Sequence, residues 1–203
     1  DAFHAWPAIV CRAFGAECHN ISWGGAGVLW NAVGCSADKP FMELYPRIIG
    51  SREDTAASCD NNLLESWIPD AILMYIGGND WWTLLKNRDH QALSIGFVNF
   101  LFNVRLLRPN TPIFILLASA ESFCACIGSR EEQATFVSDM KQCWEAAVRD
   151  FKDSNVHLLH INPIPPCELK NPADWGQMGH WSVQGNEKWA RAVVQAISAH
   201  LRW

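Results

Sequence analysis

The chain has 203 residues, a formal net charge of −5 and eleven tryptophans. That length suits one α/β domain with a substantial core and is short for two. The acidic balance, with no run of Lys or Arg, argues against nucleic acid or an anionic membrane as partner. The apolar runs are strand-sized, so no membrane span is expected.

Residues 4–15, "HAWPAIVCRAFG", have the pattern of a short amphipathic helix closed by Gly15. "CHNISW" (18–23) reads as a strand entering the glycine loop "GGAG" (24–27). A short helix is expected near "MELYPRII" (42–49). "DAILMYI" (70–76) is continuously apolar, as in a strand covered on both faces. It ends in "GGND" (77–80), ordinary turn chemistry that also puts an amide side chain at a strand end. Residues 89–107 carry a helical period through Leu93, Phe97, Phe100, Leu101 and Val104. "TPIFILLAS" (111–119) reads as a buried strand, 130–151 as a long helix and "VHLLHI" (156–161) as a further strand. The last helix is expected over 183–201, with Ala190, Val193, Val194, Ile197 and Leu201 on one face. Strands alternating with helices imply a parallel sheet with helices on both sides. Ligands in such sheets bind at the C-terminal strand ends.

Eight cysteines are present (11, 18, 35, 59, 124, 126, 143 and 167), none in a C-x-x-C pair. A zinc knuckle or thioredoxin-like site is therefore a poor reading. Several lie in loops, as disulfides of a secreted protein would, and an extracellular location is expected. Cys11 and Cys143 fall in helical patterns, where a buried thiol is an equal alternative. One glycosylation sequon, Asn20-Ile21-Ser22, sits at the end of the expected first strand, which would restrict access to it.

Three features combine into chemistry. "NISWGGAG" puts Gly25 in a tight loop where a backbone N–H can face a crevice. "GGND" adds the Asn79 amide. "DWGQMGHWSVQGNEKWA" (174–190) puts His180 just before the last helix. Two donors form an oxyanion hole and an imidazole is a base, which is what acyl transfer needs besides its nucleophile.

This arrangement resembles the SGNH (GDSL-like) hydrolase superfamily. "ISWGGAG", "PDAILMYIGGND" and "HWSVQGNEKWA" look most like blocks of the family-two carbohydrate esterases, which deacetylate plant polysaccharides. The resemblance implies a flavodoxin-like three-layer α/β/α sandwich with a parallel sheet in the order 2-1-3-4-5. It implies a single SGNH-type domain over 1–203 and an O-acyl, mainly O-acetyl, carbohydrate substrate. It also implies that Gly25 and Asn79 hold the oxyanion, that His180 is the base, and that no metal or organic cofactor takes part. Asp80 is expected to shape its loop. Trp81, Trp82 and Trp181 lie in the motif loops, where rings can stack on sugars or simply pack.

The departures are specific. No G-D-S block is present, although in the family it ends the first strand, ahead of the first helix. The expected domain is therefore N-terminally incomplete and lacks its central strand, with the serine supplied by an upstream segment or a second chain. A β-sandwich domain is common upstream in the family. Gln177 stands where most SGNH proteins have an acid, so a Ser–His dyad is expected. Asp174 is a weak substitute from six residues away. Trp181 replaces the usual Pro. Ser22, Ser119, Ser122 and Ser182 match no nucleophile elbow. A binding or assembly subunit that has lost its nucleophile is the alternative reading. A flavodoxin-like nucleotide binder is a third.

Overall fold

The computed structural model describes residues 2–32, 39–46, 67–80, 89–118, 129–161, 172–176 and 180–201. Residue contacts group the chain into two compact units. The first comprises Asp1–Asn20, Leu116–Ser138 and Leu159–Trp203, and the second Ile21–Ile115 and Asp139–Leu158.

The described helices are α1 (Trp6–Phe14), α2 (Phe41–Leu44), α3 (His90–Leu107), α4 (Arg130–Phe151) and α5 (Val183–Ser198). A 3₁₀ turn, Ala2–His4, precedes α1, and a second, Pro172–Asp174, precedes α5. The described strands are β1 (Ile72–Met74), β2 (Ile113–Ala118) and β3 (Val156–Ile161), in the order β1-β2-β3. β1 and β2 are parallel, with Leu73 opposite Phe114. The chain thus has the expected α/β class, with strand order matching the last three strands of the 2-1-3-4-5 arrangement.

Local chemistry sets the helix ends. Gly15 takes φ 63° and closes α1, its N–H returning to Arg12 O; the left-handed region costs glycine nothing. Asp89 caps α3 by accepting from Ala92 N at 2.8 Å. Pro109 follows soon after α3, where it cannot continue a helix. Ser129 and Glu132 form a reciprocal capping box at the start of α4: Ser129 N donates to Glu132 Oε2 at 2.7 Å and Glu132 N to Ser129 Oγ at 3.3 Å.

In the second unit, α3 buries Leu93, Phe97, Phe100, Leu101 and Val104, the residues its periodicity marked. Phe97 stacks on Trp144 of α4 with centroids 3.9 Å apart, and Phe100 meets Phe41 and Tyr45 edge-on. Arg105 bridges to Asp153 and also donates to the carbonyls of Arg108 and Thr111. In the first unit, α1 packs against α5, and Trp6 N donates to Asn186 Oδ1 at 2.9 Å. Trp189, Ala190, Val193 and Ile197 form the buried face of α5, while Val194 and Leu201 are only half-buried.

Two expectations are corrected. Residues 18–23 form no strand. A strand needs a paired neighbouring strand, and none of the described strands lies paired with this segment. β1 is not covered on both faces: Ile72 and Leu73 are half-buried, whereas all six residues of β2 are buried. β2 has a neighbour on each side, while β1 has only β2 among the described strands. The helix expected near 42–49 appears as Phe41–Leu44, and 47–49 lie outside the described residues.

Candidate active site

The GGND segment is a turn with consequences. Asp80 N donates to Gly77 O at 3.1 Å and closes it. Gly77 has φ 102°, and a Cβ there would meet Met140 Cε at 2.5 Å and Phe97 Cζ at 3.0 Å. The strand therefore ends on glycine both because the backbone turns left-handed and because α3 and α4 leave no room.

Asp80 is fully buried. Its Oδ2 accepts from Val28 N at 2.7 Å, and its Oδ1 from Leu29 N and Trp30 N at 2.7 and 2.8 Å. One carboxylate thus satisfies three successive backbone donors and fastens the glycine loop to the GGND turn. Burial raises its pKa to about 6 against the opposing pull of those N–H groups. Gly27 is held between Trp30 O and the Asp80 carboxylate, closer than any side chain would permit.

The same clasp brings two of the expected site residues together. Asn79 Nδ2 donates to Ala26 O at 3.0 Å, next to Gly25. A carboxamide has two N–H donors, so one holds the loop and one remains for another acceptor. Gly25 has φ 80°, and Ala26 N donates to Trp23 O across it at 3.2 Å. That is the third position of a type II turn, which demands glycine. Among the described residues, no group accepts from the Gly25 N–H.

His180 lies in the other unit. Trp175 and Trp181 form an isolated antiparallel bridge, and Gly176 N donates to His180 O at 2.7 Å. The hairpin exposes His180 immediately before α5. Ser182 caps α5: its Oγ accepts from Gly185 N at 3.1 Å and donates to Ala173 O. Its hydroxyl is thus engaged as both donor and acceptor within the cap. Asp174 is buried and faces Lys188, with Nζ 2.7 Å from each carboxylate oxygen. Its carboxylate is thus engaged by Lys188 of α5. Among the described residues, no carboxylate lies against the His180 ring.

Trp181 is half-buried, its ring 4.6 Å from that of Trp189. Trp81, Trp82, Gln177, Ser119 and Ser122 lie outside the described residues. Of the cysteines left open, Cys11 is bridged to Cys18, and Cys143 is a buried free thiol. Cys35, Cys59, Cys124, Cys126 and Cys167 lie outside the described residues. No grouping of three or more potential metal ligands occurs among the described residues. No described helix is long and apolar enough to cross a membrane. Asn31, which accepts from Gly27 N at 3.1 Å, is a working residue outside the sequence motifs, whereas Gly27 and Lys188 lie within them without having been singled out.

Solved structures align with the whole chain. A Corynascus thermopiles carbohydrate esterase family 2 enzyme with a carbohydrate-binding domain matches at a TM-score of 0.76 and 18% identity, covering 100% of this chain and 58% of that one. The fold is that of the family-two carbohydrate esterases. A Clostridium thermocellum family-two esterase, in complex with cellohexaose, matches at a TM-score of 0.75 and 18% identity, over 100% of this chain and 56% of its own. In sequence, a Cellvibrio japonicus acetylxylan esterase / glucomannan deacetylase is 27% identical over 125 residues, 58% of this chain and 33% of that protein. This chain therefore spans under three fifths of those structures, and its match covers a third of the curated relative. No family model matches the sequence.

Proposed function

We propose that the chain forms most of one SGNH-type esterase domain that hydrolyses O-acyl esters, chiefly O-acetyl groups on carbohydrate, outside the cell. A serine supplied by residues outside this stretch attacks the ester carbonyl. It sits on a strand that pairs with β1 on the side away from β2. His180 takes the serine proton and returns it to the leaving sugar hydroxyl. The Gly25 N–H and the second Asn79 N–H stabilise the oxyanion. Water, activated by the same histidine, then releases acetate. Trp81, Trp82 and Trp181 are assigned to the sugar. No cofactor takes part.

The observation that carries this reading is the Asp80 clasp. It makes the glycine loop and the GGND turn one unit, with the Asn79 amide beside Gly25. Loop closure alone would not require an amide with one N–H left over in that place. β1 is half-buried and, among the described strands, pairs with β2 alone, which supports the added strand.

The test is acetate release from acetylated xylan or glucomannan by the full natural protein. Asn79→Ala should lower kcat by about 100-fold, and His180→Ala should lower it at least as far, both with an unchanged fold by circular dichroism. The second reading, a non-catalytic binding subunit, is favoured by Gln177 at the acid position. It predicts sugar binding without acetate release, insensitive to both substitutions.

A further inference from the structure

The glycine loop holds Asn79 through a single peptide group. Asn79 Nδ2 donates to Ala26 O at 3.0 Å, and the N–H on the other edge of that peptide, Gly27 N, donates to Asn31 Oδ1 at 3.1 Å. A carbonyl can only accept and a backbone N–H can only donate, so these partners fix the orientation of both carboxamides. The neighbouring groups are paired elsewhere. Gly25 O accepts from Ala32 N at 2.9 Å and Gly27 O from Phe41 N at 2.6 Å. The next three N–H groups, those of Val28, Leu29 and Trp30, go to Asp80. Asp80 therefore fastens the loop from Val28 onward, and the N–H of the Ala26–Gly27 peptide is left to Asn31. All these residues belong to the second compact unit.

We propose, resting on the esterase reading above, that Asn31 is a positioning residue that sets the direction of the Asn79 amide. Rotation of the Ala26–Gly27 plane would carry Ala26 O out of line with Asn79 Nδ2. Gly27 opposes that rotation little, because glycine tolerates a wide range of φ. Asn31 Oδ1 holds the far edge of the plane and stops it. The two bonds run in series, from carboxamide to peptide to carboxamide, and each polarises the next. Anchored through one N–H, the Asn79 amide keeps its second N–H in one direction, as an oxyanion donor must. Such donors lower a barrier only when they already point at the charge that develops. Asn31 itself acts on the oxyanion only through Asn79.

The experiment is a double-substitution cycle on the full natural protein, read as acetate release from acetylated xylan. Asn31→Ala should lower kcat about tenfold and leave KM within about twofold. In an Asn79→Ala background the same change should lower kcat by less than about twofold, because no amide remains to be positioned. Asn31→Asp keeps an oxygen for the Gly27 N–H and should recover most of the loss. Asn31→Ser, polar but too short to reach Gly27 N, goes through the same cycle with the same expectation, in case the alanine variant does not fold. An undiminished kcat in the alanine or serine variant would overturn the proposal. So would a loss that persists in full in the Asn79→Ala background, or an aspartate variant as impaired as alanine. A natural protein that releases no acetate overturns the esterase reading and this assignment with it, whereas an active protein with an additive cycle overturns this assignment alone.

Discussion

Asp80 shows how much one side chain can hold. It is buried, and its two oxygens receive three consecutive backbone donors. Asp80→Asn presents an N–H₂ group to at least one of those donors. A buried donor left unpaired costs about 1–3 kcal/mol, so the variant should lose on the order of 3 kcal/mol in chemical unfolding above about pH 6. Its ionisation carries a sign of its own. The folded pKa is raised from 3.8 to about 6, so between those values the native state binds a proton the unfolded chain has released. The part of Asp80's contribution that is linked to its ionisation is then fullest below 3.8 and is lost as pH rises through about 6, while the three hydrogen bonds to its carboxylate remain. Carbon-detected NMR of the Asp80 carboxyl should show a midpoint near 6; a midpoint at the ordinary carboxylate value would refute the burial account. Gly77 is equally constrained. Gly77→Ala meets Met140 and a φ of 102° together and should cost about 1–3 kcal/mol, read from the urea midpoint. The sequence shows "GGND" plainly, but a turn and an oxyanion loop share that spelling. What the spelling leaves out is the company Asp80 keeps some fifty residues away, which no local pattern encodes.

Among the elements, the helices were legible because each carries its own evidence. α3 repeats an apolar face and starts at Asp89; α1 ends at Gly15 with the αL geometry glycine favours. The buried strand β2 was legible from its unbroken apolar run. The segment 18–23 was not, because β structure is a property of a pair, and "CHNISW" does not name its partner. The sequence marked His180 but not what holds its hairpin in place. The residues that hold it, Asp174 and Lys188, are fourteen apart and belong to different elements. Asp174 has a side-chain exposure of 1% and Lys188 of 26%, so solvent screens one end of the pair. Removing the lysine strands a buried carboxylate, and with that screening Lys188→Met should cost on the order of 2 kcal/mol. Asp174→Asn together with Lys188→Met should recover part of the loss. A single variant as stable as the natural chain in urea would show that the pair is not holding the hairpin.

Across the molecule, the fold resemblance covers the whole chain, yet sequence identity to those structures is only 18%. Sheet order and helix placement survive such divergence because they depend on pattern, whereas a catalytic role depends on a few atoms. Gly25 and Asn79 meet within one unit, and His180 is presented on the hairpin of the other. The esterase reading requires a serine that this stretch does not contain. The measurement that bears on it most directly is the intact mass of the full natural protein after reaction with a serine-directed phosphonate, followed by peptide mapping. The account predicts one adduct, on a serine outside these 203 residues, with labelling strongly slowed by His180→Ala. No adduct, or an adduct on a serine within this stretch such as Ser182, would contradict it.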